Sequence, residues 1–292
     1  MQKVVFGEWS VLELSDTEFA VRFRSETLHY HTRIEHAISD VLARFSESRF
    51  YEPLNYAIQD GKRIRPLIVL LSHDAVAIHE QVTDDPLPAA VAVELLHLES
   101  IIHDDIIDKE TERRGKPVFH MKYGLPSTIL SADFVLGIIL EIASQYADSR
   151  IGRELSKAAL RMSEGEVEEV FVQAQKRVSL DSYLDIVSHK TAALFQVSAR
   201  IGAILSGAKQ QTIESMSDFG LNLGIAYQIQ DDLLDWGEEG GLGRRVGAEF
   251  TSLQKLSFEY ALSAKNSLGH LSNSEAKERL SELAEFAVRR RF

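Results

Sequence analysis

The chain has 292 residues, with 32 Lys and Arg against 44 Asp and Glu, a formal net charge of −12. Hydrophobic residues make up 45%, too many for a disordered chain and enough to bury a sizeable core. Acidity argues against a nucleic-acid binder, whose affinity comes from clustered Lys and Arg, and the absence of cysteine excludes disulfides, thiolate catalysis and iron–sulfur clusters.

Only six prolines and 17 glycines interrupt the sequence. Residues 1–26 alternate apolar with acidic positions and do not read as a signal peptide. Apolar residues then recur at 3- and 4-residue spacing, which predicts helices near 27–46, 66–80, 87–110, 127–144, 151–174, 180–207, 211–235, 250–267 and 274–289. Turn signals separate them at Asp84-Asp85-Pro86, Arg114-Gly115-Lys116-Pro117 and residues 237–243. No stretch alternates with period 2, so β structure is expected to be minor. The expectation is one all-α domain over residues 1–292, with 1–26 as an N-terminal extension. The most apolar runs, 64–71 and 134–142, fall short of the roughly 18–20 residues of a membrane span, so a cytoplasmic protein is expected.

One pattern occurs twice. Asp104-Asp105-Ile106-Ile107-Asp108 and Asp231-Asp232-Leu233-Leu234-Asp235 both read D-D-x-x-D with apolar x, and they hold six of the chain's 17 aspartates. Each ends a strongly apolar predicted helix, where Asp is a mediocre helix former and is expensive to bury unpaired. Such clusters ask for a cation. Residues i and i+4 lie on one helix face, about 6 Å apart along the axis, so Asp104 with Asp108, and Asp231 with Asp235, can share one. Carboxylate oxygens without His or Cys partners suit Mg²⁺, which binds one or two carboxylates together with substrate phosphates. Two solvated helix faces are the bland alternative, and the apolar setting of both motifs argues against it.

Cations stand nearby in the sequence. Pro66 suits the first turn of a helix and places Lys62 and Arg65 beside its N-terminus, which favours anions. His97 lies two helical turns before Asp104, and Arg113-Arg114 follow the first motif closely. Lys190-Thr191 interrupt an apolar segment, and Tyr227-Gln228 precede the second motif by one turn. Singly, each has an ordinary explanation; together they can hold two anionic groups.

These stretches resemble, in order and spacing, the trans-isoprenyl (polyprenyl) diphosphate synthase family, which includes farnesyl and geranylgeranyl diphosphate synthases. The matching segments are Asp60-Gly61-Lys62-Arg63-Ile64-Arg65-Pro66, residues 94–97 leading into 103–108, and Arg113-Arg114-Gly115-Lys116-Pro117. Gly165-Glu166, Lys190-Thr191-Ala192 and residues 224–235 (GIAYQIQDDLLD) complete them. The resemblance runs from about residue 30 to the end. It implies an all-α isoprenoid synthase fold, a central cavity and a homodimer. It implies that Asp104, Asp108, Asp231 and Asp235 hold Mg²⁺, supported by Asp105 and Asp232. Arg113, Lys190 and Gln228, with Thr191 beside them, would contact an allylic diphosphate (dimethylallyl, geranyl or farnesyl). Lys62, Arg65, His97 and Arg114 would bind the diphosphate of isopentenyl diphosphate. The implied reaction is Mg²⁺-assisted ionisation, condensation and proton elimination, with Asp104, Asp108, Lys190 and Asp231 at its centre. No side-chain nucleophile is needed.

The sequence departs from the family after the second motif. Arg244 stands for a lysine, Glu249 for an aspartate, and Lys255 matches a further diphosphate lysine only with a one-residue shift. Ala132-Asp133 replaces a Gly-Asp, and Asp60 replaces a glycine. Family members limit product length four and five residues before the first motif, where this chain has Ser100 and Glu99. A blocking Glu99 implies a C15–C20 product. The alternatives are a terpene cyclase on the same fold and a catalytic or partner subunit of a hetero-oligomeric synthase. All six motif aspartates and the Lys62–Arg65 pair favour chain elongation.

Overall fold

Segments free of breakers become helices. In chain order the elements are α1 (Asp16–Glu26), α2 (Leu28–Ala43), α3 (Tyr51–Ala57), α4 (Ile64–Ala77) and α5 (Leu87–Ile107), then a hairpin of β1 (Glu112–Arg113) and β2 (Lys116–Pro117). There follow α6 (Phe119–Tyr123), α7 (Leu125–Ser144), α8 (Arg150–Gln173), α9 (Leu180–Val187), a π-turn (Ser188–Ala192) and α10 (Ala193–Leu205). The series ends with α11 (Gln210–Leu234), α12 (Leu242–Arg245), α13 (Phe250–Ser267) and α14 (Glu275–Arg289). This is a computed structural model, and it describes residues 16–59, 61–77, 84–173, 175, 177–236, 242–246 and 249–289. Asp60, residues 237–241 and 247–248, and the Arg244 side chain lie outside the described residues.

The all-α reading is correct, and the predicted helix ends fall within one turn of the observed ones. α4 and α10 are buried along most of their length and sit at the centre, packed on each other. α5 and α14 flank α4, while α11 lies between α10 and α13. α8 packs along α10 and the π-turn, and α7 covers α5. Residues 16–26 of the expected N-terminal extension are helical and belong to the bundle. Phe19 and Phe23 of α1 stack on Phe286 of α14, with ring centroids 6.0 and 6.4 Å away.

α7 is longer than the apolar 134–142 run alone. Within its 20 residues an 18-residue window has a mean hydropathy of 1.7, so the helix is long and apolar enough to cross a membrane by length and composition alone. Leu125, Ile129, Leu130 and Ala132 before the 134–142 run, and Ala143 after it, extend it. One face (Ala132, Val135, Ile139, Ile142) is buried in the main core, whereas Ile129, Leu130, Leu136 and Leu140 are exposed.

Both aspartate motifs end their helices. Asp108 N–H donates to the Asp104 carbonyl at 2.8 Å, and Asp235 N–H donates to the Asp231 carbonyl at 3.0 Å. After Asp108 the chain turns away through Lys109, whose φ of 56° is left-handed. The hairpin pairs Glu112 with Pro117 and Arg113 with Lys116. Arg114 and Gly115, at φ 54° and 73°, give it the positive-φ central pair that suits strand twist.

Candidate active site

A cavity of about 340 Å³ opens between the ends of α5 and α11. Lys62, Arg65, His97, Asp104, Arg113, Arg114, Lys190, Thr191, Gln228 and Asp231 all line it, so residues scattered over 170 positions converge as the sequence predicted. A second cavity, about 420 Å³, is walled mainly by Leu96, Ile107, Leu136, Leu160, Met162 and Val167, with Glu99 and Ser100 among its lining. Asp104 and Lys190 line both cavities. A cationic and acidic chamber therefore adjoins an apolar one.

Lys190 and Thr191 reach the boundary because the helix carries a π-turn there. An extra residue in the turn rotates the following side chains, a distortion that recurs at functional sites. Two glycines admit it. A Cβ on Gly165 of α8 would lie 2.4 Å from Lys190 N, and one on Gly224 of α11 would lie 2.6 Å from Ala192 Cα. Lys190 Nζ meets Glu166 at 2.6 Å and Glu169 at 2.8 Å. Burial opposes its charge, but Asp104, Glu169 and Glu166 outweigh that and raise its pKa. Thr191 Oγ1 donates to Gln228 Oε1 at 2.8 Å, and Gln228 Nε2 donates to Asp232 Oδ1 at 3.0 Å.

The carboxylates of the acidic wall are crowded and partly buried. Burial, aided by Glu166 and Asp108 and opposed by Lys190, pushes the Asp104 carboxyl up to about 7. Asp108 is raised chiefly by burial, again against Lys190. Asp232 is pushed up to about 6 by burial, although Tyr183 and Gln228 donate to it and pull the other way. Among the described residues no three His, Cys, Asp or Glu side chains already converge as a complete cage. An all-oxygen set drawn from facing helices, completed by ligand oxygens, fits a hard divalent cation such as Mg²⁺.

The cationic wall is equally specific. The Arg65 guanidinium lies 4.7 Å from the centroid of the Phe195 ring, and its Nε is buried without a hydrogen-bond partner. Burial and then Arg65, Arg114, Arg113 and Arg63 hold His97 well below its usual pKa, so it faces the cavity neutral near pH 7. Arg113 bonds Asp105 through Nε at 2.9 Å and a terminal nitrogen at 2.8 Å. The buried Asp105 thereby holds the Arg113 side chain in place.

Three expected site residues lie outside the lining of either cavity. Lys255 does not reach the cavity: it sits exposed on α13, 3.5 Å from Glu259 one turn on, because the helix starting at Phe250 turns it outward. Asp108 and Asp235 cap α5 and α11 at exposed positions and are not part of the cavity lining. Glu99 is paired, its carboxylate 3.2 Å from His103 Nδ1. Glu166 is part of a family-like segment in the sequence, but its partner Glu169, at i, i+3 on α8, is passed over there although the spacing is readable. Tyr183, which donates to Asp232, and the Arg63–Glu94 pair are passed over as well.

Comparison with known proteins decides the family. The polyprenyl synthetase family model matches residues 47–283. The chain belongs to the polyprenyl synthetase family. It is 35% identical to the short chain isoprenyl diphosphate synthase of Methanocaldococcus jannaschii over 67% of this chain and 60% of that protein. It is 34% identical to the geranylgeranyl diphosphate synthase of Methanosarcina mazei over 75% of this chain and 68% of that one. The solved polyprenyl synthase of Caulobacter crescentus CB15, complexed with calcium and isoprenyl diphosphate, superposes with a TM-score of 0.81 at 26% identity. That match covers 93% of this chain and 98% of the solved one. This polyprenyl synthetase thus has the all-α isoprenoid synthase fold.

Proposed function

We propose that this polyprenyl synthetase is a trans-prenyltransferase that joins isopentenyl diphosphate to an allylic diphosphate (dimethylallyl, geranyl or farnesyl). It releases diphosphate and a product longer by C5 units. The observation that carries this reading is the pair of adjoining chambers, charged and apolar, with Asp104 and Lys190 in the walls of both. Such a site suits an anionic head on a hydrocarbon tail. The Lys62, Arg65, His97 and Arg114 wall offers a second anion site, which a terpene cyclase does not need.

The chemistry follows from the residues. Asp104, Asp108, Asp231 and Asp235 would hold Mg²⁺, which supplies Lewis-acid stabilisation of charge on the leaving diphosphate. Lys190, Arg113 and Gln228 hold the allylic diphosphate as its C–O bond breaks and the electron pair leaves with diphosphate. The isopentenyl double bond then attacks the allylic carbon. A proton passes to the departed diphosphate, and its electrons form the new double bond. Apolar walls keep water from the cation.

The product is C15–C20. Glu99 and Ser100 line the apolar chamber, and burial raises the Glu99 pKa against the opposing charge of His103. The name of the Methanosarcina relative, a C20 synthase, supports the same range. The exposed Ile129, Leu130 and Leu140 of α7 and Leu160 and Phe171 of α8 support a homodimer that buries them. An acidic, cysteine-free chain supports a cytoplasmic location.

The test is incubation with isopentenyl diphosphate, each allylic diphosphate and Mg²⁺, with products read by mass spectrometry. Turnover is expected with Mg²⁺ and lost with EDTA. No elongation of any starter would overturn the reading. Glu99→Ala is expected to lengthen the product by at least one C5 unit; a wild-type product of C30 or more would remove the blockage argument.

A further inference from the structure

Lys62 and Arg65 flank an arginine that does something different. The Arg63 side chain is 5% exposed and turned inward. Its Nε donates to Glu35 Oε1 at 2.7 Å, and one terminal nitrogen donates to Glu94 Oε1 at 2.7 Å. The other terminal nitrogen donates to the Ile58 carbonyl at 2.6 Å. The guanidinium is thus saturated by acceptors from α2, α5 and the loop after α3, and little donor capacity remains for substrate.

The backbone is shaped around this contact. Arg63 has φ 52°, in the left-handed region that disfavours side chains with a Cβ. Its carbonyl accepts from Leu67 N–H at 3.1 Å, so the same residue opens α4, whose first turn carries Arg65. A Cβ on Gly61 would lie 2.2 Å from an Arg63 terminal nitrogen and 3.1 Å from Glu94 Oε1. Only glycine at 61 leaves room for the guanidinium under the loop. Glu94 is 5% exposed and lies one turn before His97 on α5. A buried ion pair is poor value for stability alone, since apolar residues of similar volume often serve as well.

We propose that Arg63 is a positioning residue for isopentenyl diphosphate. By clamping the Gly61–Lys62 loop and the start of α4 to Glu94 and Glu35, it sets Lys62 and Arg65 at a fixed distance from His97. The clamp rests on the assignment of Lys62, Arg65 and His97 to that diphosphate. It does not touch the allylic side, where Lys190, Arg113 and Gln228 are held by other partners.

The test is steady-state kinetics of Arg63→Met, Arg63→Lys and Glu35→Gln, varying each substrate in turn. Arg63→Met is expected to raise KM for isopentenyl diphosphate by about 10²-fold, the penalty of a misplacement near 1 Å, while KM for the allylic diphosphate stays within about twofold. Arg63→Lys, which keeps the charge but not the fork, is expected to recover part of the loss. Should Arg63→Met not fold, Glu35→Gln, at the half-exposed end of the clamp, carries the same split at smaller size. Equal losses for both substrates, or a change confined to thermal stability, would overturn the proposal. Lys62→Ala is the control: if it leaves KM for isopentenyl diphosphate unchanged, the subsite assignment itself has failed.

Discussion

The two aspartate motifs are spelled alike but live in different company. On α5 the middle aspartate, Asp105, is buried and held by the guanidinium of Arg113. On α11 the middle aspartate, Asp232, is held by neutral donors, the Tyr183 hydroxyl and the Gln228 amide. Asp104 stands near Lys190 and Glu166, whereas Asp231 lies near Arg65. A sequence repeat therefore does not fix an electrostatic repeat. The motif supplies the carboxylates, and the neighbouring elements decide how each is held.

The widest break in this comparison is removal of the leading carboxylates. Asp104→Ala and Asp231→Ala are each expected to lose at least about 10²-fold in kcat, or about 2.7 kcal/mol, because both would hold Mg²⁺ at the leaving diphosphate. Single-turnover rates at saturating Mg²⁺ check this. If one variant stays near wild type, the motifs do not share the metal work and the symmetric half of the comparison fails.

The middle residues separate the motifs by a smaller step. Asp105→Asn weakens a charge-assisted contact that orients Arg113, so KM for the allylic diphosphate is expected to rise about tenfold or more. Tyr183→Phe removes one neutral donor from Asp232, and its cost to kcat/KM is expected to be about threefold to tenfold. Indistinguishable kinetics for the two variants would sink the contrast.

The sequence carried the long helices and the convergence of the motifs, because both follow from periodicity and from the chemistry of clustered carboxylates. It could not carry features set by distant packing. α1 is short and amphipathic only through Phe19 and Phe23, whose partner Phe286 lies near the other end of the chain. α3 has seven residues, too few for a 3.6-residue period to stand out. The π-turn inserts no unusual residue, so residues 180–207 read as one helix, and the reason Lys190 and Thr191 face the cavity is visible only in the backbone. Lys255 matches the family's further lysine only with a one-residue shift, and a match across an intervening turn says nothing about helix phase.

The finest test concerns His97 of α5, the one imidazole among the described residues that line the charged chamber. Burial and four nearby guanidinia lower its pKa well below 6.5, so it meets substrate as a neutral hydrogen-bonding group and not as a fourth cation. The sign of the linkage follows. As the pH falls below about 6.5, the unfolded chain takes up a proton at His97 that the folded chain refuses, so folding stability drops toward acid. His97→Gln keeps a donor and removes the titration. Thermal unfolding of substrate-free protein between pH 7 and pH 5 is therefore expected to show a smaller fall in Tm for His97→Gln than for wild type. An equal fall would mean that His97 is protonated in the folded state, and the chamber would then be more cationic than the motif comparison allows.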